Sequence, residues 1–290
     1  MKIATYRMGG ERRVGVIDEN KQTVSPFEIP AADAAHGVLA LIGRADLPRL
    51  LAAMPLREAD IEAPIVRPRR NIFCVGKNYH DHAKEFASSG FDSSAANGVV
   101  PKHPIIFSKV PECVVAHGAP IYIDGAVSEA VDYEAELGVI IGKGGRGIKP
   151  ENALDHVWGY TIINDVTARD LQGRYSQWLI GKSQDTFCPM GPWAVTRNEI
   201  DLSDTKIRCW INGDLRQNAN TRDLIFDIPT IIATISAGVT LIPGDIIASG
   251  TPSGVGIGFK PPKYVVAGDV ARIEIADIGI LQNEFREIRS

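Results

Sequence analysis

Residues 131–142, VDYEAELGVIIG, put Asp132, Glu134 and Glu136 at alternate positions in an otherwise apolar stretch. The run has β character, and strand side chains alternate faces. Glu134 and Glu136 therefore share a face, which Asp132 can join before the strand begins, while Tyr133, Ala135, Leu137 and Val139 take the other. The acidic face continues as Gly138, Ile140 and Gly142, so it runs into apolar surroundings. Like charges on one strand face repel, and burial adds a desolvation cost. Two readings stand: an edge strand with solvated carboxylates, or a divalent cation between them that reverses the sign of both terms.

Working outward, the chain has 290 residues, 44% of them hydrophobic, enough for a sizeable core. With 31 basic and 35 acidic side chains the net charge is −4, which gives no electrostatic case for nucleic acid or an anionic membrane. No apolar run approaches the roughly 20 residues of a membrane span, and the opening MKIATYRMGGERRVG lacks the apolar core of a signal peptide. Cys74, Cys113, Cys188 and Cys209 form no CxxC pair and read as reduced thiols. The expected setting is cytoplasmic.

Residues 1–68 read as a small N-terminal domain. KIATYR and RRVGVID flank MGGE as a hairpin, followed by helical stretches at AADAAHGVLALIG and ADLPRLLAAM, and APIVRPRR (63–70) leads into the body. Residues 69–290 carry short β-rich runs: NIFCVG, PIIFSK, YEAELGVIIG, VWGYTIIND, GPWAVT, TKIRCWING, DIIASG and VARIEIADIG. Their spacing argues for antiparallel or mixed β structure, mainly β with some helix. Asn212-Gly213 is a hairpin turn. One helix is expected in DIPTIIATISAG, capped by Asp227, with Pro229 early and Gly238 at its end. Segment 86–100 reads as a surface loop.

A third acid, Asp165, follows VWGYTIIN. Thr167 and Asp170 have the spacing of a capping box, which would put Asp165 at a strand-to-helix corner and Arg169 and Gln172 on one helix face. Hard oxygen ligands with no nearby Cys/His set point to Mg²⁺, Mn²⁺ or Ca²⁺; the plain alternative for Asp165 is a turn residue. In CVGKNYHDHAKEF, His82 and Glu85 are three apart, so the carboxylate can orient the imidazole as a general base requires, with His80 as an alternative base and an exposed helix end as the plain reading. The GKS at 181–183 fails as a phosphate loop because Ser176 stands where glycine is needed. Lys182 is either a fixed cation for a substrate carboxylate or enolate, or a surface lysine. ASGTPSGVGIGF offers backbone N–H groups and the Thr251 hydroxyl to an anion, or is a tight turn.

GKNYHDHAKE, DYEAELGVIIG, GYTIINDVTARDLQ, WLIGKSQDTFCPMGP and PGDIIASGTPSGVG, in that order, resemble the fumarylacetoacetate hydrolase family across nearly all of residues 71–258. The resemblance implies a mixed β-roll or sandwich, a short variable N-terminal domain, and homodimers or larger assemblies. It implies Glu134, Glu136 and Asp165 as ligands for Mg²⁺ or Mn²⁺, His82 and Glu85 as a catalytic dyad, Lys182 as a stabiliser of developing negative charge, and Arg169, Gln172 and Thr251 as groups that bind substrate oxygens. Lys77 stands where many members have arginine, and Asp132 is not a ligand in the family. The implied substrate is a small anionic 2-oxo or 1,3-dicarbonyl acid, and the implied chemistry is hydrolysis of a C–C bond in an acylpyruvate-like acid. Decarboxylation of oxaloacetate, or isomerisation or hydration of an unsaturated 2-oxo acid, are variants, and a non-catalytic ligand-binding protein is the remote alternative.

Overall fold

Short strands outweigh helices in the protein, as the sequence pattern requires. The computed structural model describes residues 1–87 and 100–288. β1 (Lys2–Met8) turns through Gly9 and Gly10, both at positive φ, into β2 (Glu11–Asp18), and β3 (Thr23–Pro26) follows. The body contains β4 (Ile72–Gly76), β5 (Ile105–Lys109), β6 (Ala135–Ile141), β7 (Val157–Asn164) and β8 (Cys188–Thr196). It continues with β9 (Lys206–Ile211), β10 (Asp214–Asn220), β11 (Ile246–Ala248), β12 (Val270–Ile275) and β13 (Gly279–Glu287). Asn212 and Gly213, both at positive φ, make the expected turn between β9 and β10.

The larger sheet runs in the order Met54–Pro55, β3, β2, β1, β8, β7, β6, β11, β4, β5. Its pairs are antiparallel except β11 with β4 and Val114–Val115 with the start of β8, so the sheet is mixed. Lys2 lies opposite Val195, so the N-terminal hairpin extends the same sheet as the body. The smaller sheet is β10, β9, β12, β13 and Ile121–Ile123. The two sheets meet where β6 packs on β9, β7 on β12 and β8 on β13. Alternation decides what fills the space between them: Ala135, Leu137, Val139 and Ile141 join Ile162, Ile207, Ile273 and Leu281 in this core. Ile140 packs on the other side with Ile72, Cys74, Ile163 and Ala248. Each such aliphatic side chain contributes about 1.5–3 kcal/mol on burial. All four cysteines are free and buried.

The helices are short: α1 (Ala31–Ala34), α2 (His80–Ala87), α3 (Arg169–Arg174), α4 (Leu179–Lys182) and α5 (Ile228–Ser236). No helix among the described residues is long and apolar enough to cross a membrane. The alanine-rich stretch after β3 is only partly helical. Gly37 at φ +60° breaks it, and a Cβ there would come within 2.6 Å of Thr5 Oγ1. The expected helix in ADLPRLLAAM does not form. Pro48 disrupts it, Leu47, Leu50 and Leu51 are exposed, and the chain runs extended, with Leu50 bridged to Phe27 and Glu28 N donating to Arg49 O (2.8 Å). The capping box at Thr167 is absent too: α3 starts after Ala168, Thr167 Oγ1 donates to Asp165 O (2.8 Å), and Asp170 accepts from Ser128 Oγ (2.6 Å). Thr167 instead pairs with Asp132 in a two-residue β-ladder. Of the expected surface loop, residues 88–99 lie outside the described residues.

α5 is as the sequence predicts, with Asp227 Oδ1 accepting from Thr230 N at 2.8 Å. Asp227→Ala is expected to lower stability by about 1 kcal/mol, the usual worth of an N-cap, measured by urea unfolding.

Candidate active site

The central strands concentrate polar ends along one edge of the larger sheet. β7 and β11 both run antiparallel to β6, and β4 runs parallel to β11. The start of β6 therefore lies beside the ends of β7, β11 and β4, and the chain leaves those ends through Asp165, Ser249–Thr251 and Lys77. Glu134 precedes β6, and its N–H donates to Asn164 Oδ1 (3.0 Å).

Glu134, Glu136 and Asp165 are all buried, and each offers a carboxylate oxygen within 4.8 Å of the others. Of the two readings of the acidic strand, solvated carboxylates are thereby excluded. Three hard-oxygen donors held together away from water fit a divalent cation, and these three residues are the ones that could hold it. The like charges show their cost at Glu136: burial, then Asp165 and Glu134, push its carboxyl well above the usual range. At Glu134 burial acts in the same direction, but the Lys182 and Arg169 cations outweigh it and hold the pKa at about 2.

Lys182 compensates two of the acids at once. Its Nζ donates to Glu134 Oε2 (2.8 Å) and Asp165 Oδ2 (2.8 Å), and lies 4.9 Å from the Phe107 ring centre. It is buried, so the surface-lysine reading falls. Arg169, also buried, donates from Nη1 to Glu134 Oε1 (2.7 Å) and Gln172 Oε1 (3.1 Å), which joins the two residues expected on one helix face. His82 Nδ1 lies 3.3 Å from Glu85 Oε2, and both Glu85 oxygens accept from Gly254 N (3.0 and 3.2 Å). Gly254 has φ +98°, and a Cβ there would come within 1.9 Å of Arg216 O, so this close approach requires glycine. His80, the alternative base, is exposed.

His82, Glu134, Glu136, Arg169, Gln172, Lys182 and Thr251 line one small cavity, which Lys77 also reaches. Glu85 and Asp165 back it through their bonds to His82 and Lys182. Phe86, Phe107 and Trp178 form its apolar side, with Trp178 edge-on to both phenylalanines.

Three contributors escape the motif-based reading. Lys109 is buried with no exposure, and its Nζ donates to Asp165 Oδ1 (2.7 Å), Val166 O (3.0 Å) and the carbonyl of Lys182. Burial pulls its pKa down, but the neighbouring Asp165 carboxylate outweighs that and raises it. Gln217, from β10, accepts from Ala135 N (3.0 Å) and donates to Thr251 Oγ1 (2.8 Å), so it ties β6 to the loop after β11. Asp132 stands apart from the three-acid cluster that the alternation allowed it to join, and pairs with Arg169 Nε at 2.9 Å.

The Fumarylacetoacetate (FAA) hydrolase C-terminal family model matches residues 71–286. The chain belongs to the fumarylacetoacetate hydrolase family. It is 49% identical over 230 residues to the oxaloacetate tautomerase YisK of Bacillus subtilis (strain 168), spanning 79% of this chain and 74% of that protein. Among solved structures, a fumarylacetoacetate hydrolase from psychrophilic Exiguobacterium antarcticum matches with TM-score 0.83 and 38% identity over 99% of this chain and 100% of its own. Maleylpyruvate hydrolase from Sphingobium sp. SYK-6, in complex with manganese(II) ion and pyruvate, matches with TM-score 0.78 and 31% identity over 100% of both chains. The likeness confirms the family fold of mixed sheets, and its members named here are enzymes of small acids.

Truncating Lys109 would leave Asp165 without one of its two buried cationic partners. Lys109→Met is expected to destabilise the protein by about 3–5 kcal/mol in urea unfolding, as removal of one member of a buried ion pair does.

Proposed function

We propose that this protein is a metal-dependent enzyme that moves a proton between carbon and oxygen in a small 2-oxo dicarboxylic acid of the oxaloacetate type. The observation that carries the reading is that a His–Glu pair and a buried three-carboxylate cluster share one small cavity. Identity of 49% to an oxaloacetate tautomerase supports the same reaction class.

A divalent cation held by Glu134, Glu136 and Asp165, Mg²⁺ or Mn²⁺, would supply Lewis acidity toward a 2-oxo group and acidify the C–H bonds beside it. His82 then serves as the base that takes a proton from the carbon next to the 2-oxo group and returns one in the reverse direction. Glu85 fixes the imidazole and is itself fixed by the Gly254 N–H. Lys182 and Arg169 place positive charge where an enolate oxygen and a carboxylate form or bind, and Gln172 and Thr251 line the same cavity. The apolar side made by Phe86, Phe107 and Trp178 strengthens each of these interactions by excluding water.

Charge favours an anionic substrate. The buried carboxylates Asp132, Glu134, Glu136 and Asp165 are matched by the buried cations Lys77, Lys109, Arg169 and Lys182. With Glu85 beside His82 as a further acid, a divalent ion still leaves the site net positive, which an anionic acid neutralises.

Hydrolysis of a C–C bond in an acylpyruvate is the second reading, favoured by the full-length likeness to a maleylpyruvate hydrolase. The same dyad would there deprotonate a water instead of a carbon acid. The two separate in one assay: disappearance of enol-oxaloacetate absorbance with Mg²⁺, run beside acetylpyruvate, each repeated with EDTA. EDTA-sensitive enol loss with acetylpyruvate untouched is the expected result, and the opposite pattern selects hydrolysis. His82→Ala is expected to slow the reaction by about 10²–10⁴-fold, the usual worth of a positioned base, with calorimetric Mg²⁺ affinity preserved. Glu136→Gln is expected to weaken Mg²⁺ itself, and unchanged Mg²⁺ affinity would remove Glu136 from the ligand set.

A further inference from the structure

The glycine-rich loop after β11 directs its backbone N–H groups at the protein's own carboxylates. Gly250 N donates to Glu136 Oε2 (2.8 Å) and Gly254 N to Glu85 (3.0 Å). Gly256 N and Ile257 N donate to Asp132 Oδ1 (2.6 Å) and Oδ2 (3.0 Å). The first two of these acids belong to the metal cluster and the base; the third belongs to neither. Asp132 is nevertheless fully buried, and its carboxylate also accepts from Tyr133 N (2.9 Å) and Arg169 Nε (2.9 Å). A Cβ on Gly256 would meet Lys263 O at 2.4 Å and Asp132 Oδ1 at 2.7 Å, so the loop is closed between its own backbone and this carboxylate without room to spare.

Arg169 shows what the arrangement accomplishes. Its Nε is held by Asp132 and its Nη1 by Glu134 and Gln172, while its buried Nη2 has no partner among the described residues. A guanidinium is planar, so fixing two of its nitrogens fixes the direction of the third. Arg169 itself lines the cavity.

We propose that Asp132 is a positioning residue that aims the third nitrogen of Arg169 at a substrate carboxylate, and that the Gly256–Ile257 turn holds Asp132 in place to do so. The inference rests on Arg169 being a substrate-binding group. Asn in place of Asp132 keeps the shape, but its Nδ2 is a donor that opposes the Ile257 N–H and the Arg169 Nε–H.

The test is a double-mutant cycle read by calorimetric binding of oxalate to the Mg²⁺-loaded full chain, with Mg²⁺ binding and thermal unfolding measured on each variant. Asp132→Asn is expected to weaken oxalate by about 10- to 100-fold, the worth of a charge-assisted hydrogen bond, and to leave Mg²⁺ affinity unchanged. In an Arg169→Met background the same change is expected to have no further effect on oxalate. Loss in Arg169→Met with none in Asp132→Asn overturns the inference and leaves Arg169 as a substrate residue. An equal loss from Asp132→Asn in both backgrounds overturns it as well, because the effect then does not pass through Arg169. If Arg169→Met binds oxalate normally, the reading of Arg169 fails and the inference with it. Gly256→Ala, whose Cβ would crowd both the Lys263 carbonyl and the Asp132 carboxylate without removing its charge, is expected to repeat the selective loss and serves if Asp132→Asn does not fold; unaltered oxalate affinity in a folded Gly256→Ala counts against the inference.

Discussion

The burial of like charges at the start of β6 is the constraint around which the rest of the site is arranged. Glu134, Glu136 and Asp165 sit within a few ångströms of one another with almost no exposure. Such a cluster is unfavourable in a low-dielectric interior unless cations face it. Lys182 spans Glu134 and Asp165, Lys109 braces Asp165 from behind, and Arg169 closes on Glu134. The strand order follows from the same need. Only by bringing the ends of β7, β11 and β4 beside the start of β6 does the fold gather acids and cations from segments far apart in sequence.

Much of this is legible in the chain because the signals are local. Alternation in YEAELGVIIG separates Glu136 from the Leu137 and Val139 face, and both assignments hold from Ala135 onward. The His82–Glu85 spacing works because three residues of helix bring the side chains together. Asp227, Pro229 and Gly238 bracket α5 for equally local reasons.

Elsewhere a long-range contact overrides the local signal. Thr167 has the spacing of a cap, but its hydroxyl satisfies Asp165 O and its backbone joins Asp132, so the helix begins two residues later. ADLPRLLAAM has helical composition, yet Pro48 and pairing with the strand side of Phe27 and Glu28 hold it extended. Lys109 ends an ordinary apolar strand, and its partner Asp165 is 56 residues away, so no window of sequence joins them. Gln217 is similarly silent, lying in a polar strand 34 residues before the threonine it holds.

The N-terminal hairpin has a consequence beyond its own stability. β1 pairs along β8 through Lys2 and Ile3, and it carries β2 and β3 outward from the body. Without β1, the backbone donors and acceptors of β8 at Ala194 and Val195 would form an open rim, a template for pairing with another chain. The opening residues thus cover a stretch of sheet edge that would otherwise be open. Only the backbone of β1 at its first residues meets β8, so this protection asks for a pairing-competent main chain there rather than for particular side chains.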